Sequence, residues 1–106
     1  MNRECEKAMR LTIPAVRIAV SCTLKREHGM SETLIARRLG IAQAAVSKYI
    51  SGDYSKKVAR VVEAVVSQKV HLPIVNAILK DGKMGRVPSL VDKVASGSEL
   101  VAFALG

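Results

Sequence analysis

The stretch IARRLGIAQAAVSKYISG, residues 35–52, decides the fold. Apolar residues recur at helical spacing on both sides of Gly40, yet glycine is a poor residue for the interior of a helix. A tight turn between two helices needs a residue in the left-handed conformation, which glycine adopts without steric cost. The stretch therefore predicts two short helices that are joined at Gly40.

The side chains around Gly40 follow the inward register of a helix-turn-helix, in which two helices cross at a tight turn. Ala36 stands at the predicted crossing, where only a small side chain fits. The other inward positions are apolar or amphipathic: Ile35, Leu39, Ile41, Val46 and Tyr49. A small residue, a glycine and five inward positions in register together predict a helix-turn-helix.

The outward side chains after Gly40 are short, which suits a helix that must approach base edges in the major groove of DNA. Gln43 can bond adenine with two hydrogen bonds, and Ala44 can contact a thymine methyl group. Ser47 and Lys48 can reach further base edges or a phosphate. We therefore predict that Gln43, Ala44, Ser47 and Lys48 read DNA bases.

The positive charge of the chain is concentrated in its first half. The net charge is +8, and residues 1–60 hold 12 basic and 5 acidic residues, against 5 and 4 in residues 61–106. Such a field favours a polyanion: nucleic acid first, and an acidic membrane or an acidic protein second. A basic protein whose charge serves only solubility is the alternative that charge alone leaves open.

Residues 13–54 resemble the phage-repressor-like helix-turn-helix family, also called the xenobiotic-response-element type. The phrases IPAVR (13–17) and GMSETLIARRLGIAQAAVSKYISG (29–52) are most similar to small archaeal predicted transcriptional regulators of that type. The resemblance implies four or five helices, with the third in the major groove, and a protein that reads double-stranded DNA as a homodimer.

The resemblance also implies where the phosphates of DNA are contacted. The corresponding positions are Lys25, Ser51, Lys56 and Lys57. Arg37 and Arg38, just before the turn, are further candidates for a phosphate contact, with plain solvated surface as the alternative.

Ser31 and Ser55 are expected to cap the helices that follow them.

Two residues depart from the pattern of the family. Ala42 stands where threonine or serine is common, which removes a helix cap worth about 1 kcal/mol. Glu32 stands where a phosphate-contacting glutamine is common, and its carboxylate would repel a phosphate.

The predicted fold is all-α: a helix-turn-helix DNA-binding domain of four to five helices with a C-terminal helical extension. Residues 1–11 are charged and are expected to form an N-terminal arm that is frayed or loosely helical, since residues 12–14 are typical of a helix start. The DNA-binding domain then spans residues 12–70, and the extension spans residues 71–106.

The second half of the chain is nearly neutral and strongly apolar, as an interface between two like copies requires. The valines that recur at helical spacing after Ser55, from Val58 to Val70, form either the core of the domain or part of such an interface. The residues predicted for dimerisation are Val66, Val70, Ile74, Ile78, Leu100 and Phe103. The segment 100–105 has no polar residue, and we expect it to pack against the fourth helix or across the dimer.

The residue pattern offers no support for an enzyme or a cofactor. Cys5 and Cys22 lie far in sequence from both histidines, so no zinc-type spacing is present and two reduced thiols are expected. No apolar run approaches the roughly 20 residues of a membrane span, so we predict a cytoplasmic protein without a membrane partner.

The predicted function is a DNA-binding transcriptional regulator with an unknown effector ligand. The alternatives are an antitoxin-like or adaptor module that binds another protein, and RNA binding through the same basic face.

Overall fold

The computed structural model describes residues 3–81 and 87–106. Over these residues the chain forms seven α-helices and no strand, which confirms the all-α fold class. The helices are α1 (Arg3–His28), α2 (Glu32–Leu39), α3 (Gln43–Ser51), α4 (Lys56–Gln68), α5 (Leu72–Asp81), α6 (Val87–Ala95) and α7 (Ser98–Leu105).

Helix α1 is the central element, and each of the other six helices packs against it. Its buried positions recur at helical spacing and lie on more than one side, which lets the other helices surround it. These positions include Ala15, Val16, Ala19, Val20 and Leu24, each at most 2% exposed. The apolar surface of α5, α6 and α7 joins this same core.

Helix α1 begins at Arg3 rather than at Thr12, so residues 3–11 of the predicted arm are helical, and residues 1–2 lie outside the described residues. Pro14 is inside the helix, where it removes a backbone donor at a cost of about 3 kcal/mol. The preceding turns are held by tertiary packing, since Ala8 is 1% exposed and Thr12 is fully buried. The helix therefore continues through a residue that, on local propensity alone, marks its start.

Three residues predicted for dimerisation belong to the core of the single chain. Ile74, Ile78 and Leu100 are 0%, 1% and 3% exposed, so they have no surface to offer a second copy and this part of the prediction is wrong. The physical reason is that α5 and α7 pack on α1, which consumes their apolar faces. Helix α7 also packs against α4, as expected for the segment 100–105.

The other three predicted dimerisation residues keep some exposure. Val66 is 48% exposed, while Val70 and Phe103 are half-buried against the core. The guanidinium carbon of Arg60 lies 4.4 Å from the centre of the Phe103 ring, so a cation covers that ring. Val66 is thus the member of the set with the most free apolar surface.

Among the described helices, none is both long and apolar enough to cross a membrane by itself; α4 and α5, bent by 74°, reach that length and composition only as a pair.

Candidate nucleic-acid interface

Helix α2 starts at a well-formed cap. Ser31 has an extended backbone, and its side-chain oxygen accepts a hydrogen bond from the Leu34 N–H at 3.2 Å. Glu32 follows in the first turn, where a negative charge is favoured by the helix dipole. The predicted cap at Ser31 is therefore confirmed, and Ser55 caps α4 in the same way through the Val58 N–H.

Helix α2 ends at Gly40, which has φ 69° and ψ 36° in the left-handed region. The Gly40 N–H donates to the Arg37 carbonyl at 3.3 Å, and the Ile41 N–H donates to the Ala36 carbonyl at 3.0 Å. These two bonds form a Schellman motif, which satisfies the last carbonyls of a helix. Three residues connect the two helices, and α3 begins at Gln43, as the sequence predicts.

Helix α3 begins without a side-chain cap. Ala42 has the extended backbone of a cap residue, but its methyl group forms no hydrogen bond, and its carbonyl accepts from the Ala45 N–H at 3.1 Å. Helix α3 ends at Gly52, which is also left-handed at φ 77°. The uncapped start leaves backbone N–H groups at the N-terminal end of α3 available to an outside acceptor.

The inner faces of α2 and α3 are buried where the sequence places them. Ile35 and Val46 are fully buried, Leu39 is 3% exposed, and Ala36 is 5% exposed. Ile41 and Tyr49 are half-buried. Helices α2 and α3 pack on each other and on α1, so the two helices and their turn form one supported unit.

The four predicted base-reading residues all lie on the outer face of α3. Gln43, Ala44, Ser47 and Lys48 are exposed, and their spacing of one and four residues places them on one side of the helix. No aromatic or branched apolar side chain stands among them. The backbone of α3 is thus accessible along this face, which is the condition for entering a groove of a duplex.

Two serines of this face already use their hydroxyl protons. The Ser47 hydroxyl donates to the Glu32 carboxylate at 2.5 Å, which links the start of α2 to the middle of α3. The Ser51 hydroxyl donates to the Lys48 carbonyl at 3.1 Å. Both hydroxyl oxygens can still accept a hydrogen bond. Because its only proton is already used, the Ser51 hydroxyl would have to rotate before it could donate to a phosphate.

Glu32 makes a contact that the sequence interpretation did not include, and its predicted repulsion of a phosphate stays a prediction. Its carboxylate accepts the hydrogen bond from Ser47 and therefore lies beside the exposed outer face of α3. A carboxylate accepts hydrogen bonds, and in a major groove the exocyclic amine of cytosine is its usual partner. The spacing of 15 residues between Glu32 and Ser47 gives no local signal of this contact.

The predicted phosphate-contacting lysines are exposed at helix ends. Lys25 lies in the last turn of α1, and Lys56 and Lys57 lie in the first turn of α4. Cations near a helix N-terminus oppose the helix dipole, so this placement of the two lysines is not explained by the stability of α4. The two lysines place positive charge beside the free backbone N–H groups at the N-terminus of α4.

The two arginines before the turn differ in exposure. Arg37 is exposed, whereas Arg38 is half-buried and its Nε has no hydrogen-bond partner. Both lie in the last turn of α2, where the helix dipole favours cations. Their position thus has a structural explanation that the lysines of α4 lack.

A groove adjoins the C-terminal end of α3, with α1 and α4 as its other walls. It encloses about 280 Å³, and its lining includes Tyr49, Tyr54 and the exposed Val66.

Cys22 also lines this groove, and its thiol donates a weak hydrogen bond to the Tyr49 carbonyl at 3.8 Å. Burial raises the pKa of the Cys22 thiol, against the opposing charge of Arg26. Cys22 is thus a protonated packing residue, and the side chain of Cys5 lies outside the described set.

Titratable groups do not form a metal site in the described part of the chain, where no cluster of three or more His, Cys, Asp or Glu side chains occurs. Comparison with known proteins adds no assignment, since no protein-family model, curated protein or solved structure matches the chain.

Proposed function

We propose that the chain is a helix-turn-helix regulator that binds double-stranded DNA, with α3 in the major groove. The observation that carries the proposal is the division of α3 into two faces. Val46 is fully buried on the inner face, and the outer face exposes an amide, a methyl, a hydroxyl and an ammonium group. These are the groups that read base edges.

Charge supports a duplex as the partner. Lys25, Lys48, Lys56 and Lys57 are exposed, and none of them is paired with a carboxylate within the described residues. The uncapped N-terminus of α3 and the N-terminus of α4 add backbone donors that suit phosphate oxygens. Phosphate contacts supply most of the affinity for any duplex, and base contacts then select the sequence.

Two copies of the chain are proposed to bind one site. A single recognition helix covers a short half-site, and tight specific binding by such units uses two half-sites about 34–36 Å apart. The groove with the exposed Val66 lies next to the end of α3, so contact between copies there would fix the spacing of the two recognition helices.

The test is a selection of bound sequences from random duplex DNA, followed by Gln43→Ala. We expect this variant to lose about 1–3 kcal/mol on the selected site and to relax the choice at one base pair. Gln68→Ala is the matched control, since Gln68 is an exposed glutamine at the end of α4. Lys56→Ala should weaken binding to all duplexes alike.

Three results would redirect the proposal. If Gln43→Ala leaves both affinity and base preference intact, α3 is not the reading element. Tighter binding to structured RNA than to any duplex, measured under the same salt conditions, would favour the RNA-binding alternative. An absence of binding to either nucleic acid would favour the adaptor or antitoxin-like alternative.

A further inference from the structure

A second cavity lies between the N-terminal half of α1, the first half of α4 and the end of α7. It encloses about 360 Å³ and has an apolar floor that includes Leu11, Val61 and Leu105. Three cations line it as well: Lys7, Lys57 and Arg60. The lining also includes the backbone of Gly106, and among the described residues it includes no acidic side chain. The α2–α3 surface contributes nothing to this cavity.

The three cations come together from two helices, which no sequence pattern predicts. Lys7 belongs to α1, while Lys57 and Arg60 stand three residues apart on α4, and none of them is paired with a carboxylate within the described residues. Like charges around one small cavity repel one another, and an anion between them would relieve that repulsion. The charge of the cavity is therefore complementary to an anion.

Among the described residues, Arg60 is the cation of this cavity that contacts an aromatic ring. Its guanidinium group lies over the Phe103 ring of α7, at 4.4 Å from the ring centre, and this cation–π contact fixes the direction of the side chain. A planar guanidinium held in this way can present two parallel N–H groups to a carboxylate or a phosphate. The site is thus partly built before a ligand arrives.

We propose that this cavity binds a small amphipathic anion, with its charged head at Lys7, Lys57 and Arg60 and its apolar body over Leu11, Val61 and Leu105. Ligand cavities in proteins measure about 300–1,000 Å³, so this one suits a small molecule rather than a long lipid. Leu105 is 46% exposed, and such a ligand would cover it. The site contains none of the proposed base-reading residues of α3, but it shares Lys57 with the proposed phosphate contacts, so a bound anion would act as an effector of duplex binding.

The test is a ¹H–¹⁵N NMR titration of the full chain with sodium octanoate, sodium hexanoate and octanamide. We expect octanoate to cause saturable shifts at Leu11, Arg60 and Leu105 and none at Ala44. Each methylene removed from water should tighten binding about four-fold, so octanoate should bind up to about 15-fold tighter than hexanoate. Octanamide, which has the same length but no charge, should bind at least ten-fold more weakly.

Variants separate the cavity from other surfaces. Arg60→Gln should weaken octanoate at least ten-fold, and Arg60→Lys, which keeps the charge but loses the planar contact, should weaken it less. Arg10→Gln is the matched control, because Arg10 is exposed on α1 and does not line the cavity. The NMR spectrum of each variant also reports whether it is folded.

Three outcomes would overturn the proposal: equal binding of octanamide and octanoate, shifts that spread over the whole surface, and an unchanged octanoate affinity in folded Arg60→Gln. A loss of duplex binding in Arg60→Gln as large as its loss of octanoate would also overturn it, since the cations would then serve the DNA backbone. Octanoate binding is measured without DNA, so a failure of the proposed DNA binding would leave this result standing.

Discussion

The salt dependence of the proposed DNA affinity should report how many lysines contact phosphates. Four exposed lysines border α3 or stand at neighbouring helix ends: Lys25, Lys48, Lys56 and Lys57. Each neutralised phosphate releases counterions, so the slope of log K against log salt is about −0.9 per contact on duplex DNA. If each lysine meets one phosphate, the slope is about −3.6 for one bound copy and about −7.2 for two.

These slopes correspond to large and separable effects on affinity. Between 50 and 200 mM salt, the binding constant should fall about 150-fold for one copy and about 2 × 10⁴-fold for two. Fluorescence anisotropy of a labelled duplex, titrated at several salt concentrations, measures the slope. Sedimentation of the complex gives the number of copies independently, so the two measurements must agree.

A charge variant makes the prediction specific to the proposed surface. Lys48→Gln should flatten the slope by about 0.9 for one bound copy and about 1.8 for two. Lys93→Gln, an exposed lysine on α6, should leave the slope unchanged. An unchanged slope in Lys48→Gln would refute the phosphate contact of Lys48, and a nearly flat response of the unaltered chain would refute the electrostatic mechanism as a whole.

Two further predictions concern the core and its titration. Leu100→Ala should lower the free energy of unfolding by about 2–5 kcal/mol in a denaturant melt, because removal of a side chain that is 3% exposed leaves a cavity. Val66→Lys should change the free energy of unfolding by less than about 0.5 kcal/mol. The same variant should weaken self-association in sedimentation equilibrium. Burial lowers the pKa of His71, which is 4% exposed, against the raising effects of a hydrogen bond to Val65 and the charge of Glu27. The unfolded chain therefore takes up this proton first, the free energy of unfolding should fall as the pH drops below about 6.5, and His71→Asn should flatten that part of the pH profile.

The α2–α3 unit could be predicted from sequence because its determinants are local. A left-handed residue at Gly40, a cap at Ser31 and an inward face set by helical periodicity all depend on neighbours within a few residues. The structure confirms each of these features. The role of the outer face of α3 stays a prediction, since the fold shows its exposure but not its partner.

Features that depend on distant parts of the chain could not be predicted in the same way. Periodicity shows that Ile74, Ile78 and Leu100 face something apolar, but it does not say whether that surface belongs to the same chain. Packing on α1 decides the question in favour of the core. The start of α1 has a similar cause, since tertiary contacts outweigh the local cost of Pro14.

The contact between Ser47 and Glu32 changes what the proposed complex would read. From sequence, Glu32 is a charge that repels phosphate, because the position suggests a backbone contact. In the structure its carboxylate accepts a hydrogen bond from the Ser47 hydroxyl. The negative charge therefore lies beside the proposed base-reading residues of α3. With α3 in the major groove, Gln43 then offers a donor and an acceptor, Lys48 a donor, and Glu32 an acceptor only. A site that matched this face would therefore present an exocyclic amine to Glu32, and a base pair that placed only acceptors there would be rejected by desolvation and repulsion rather than by the loss of a favourable contact.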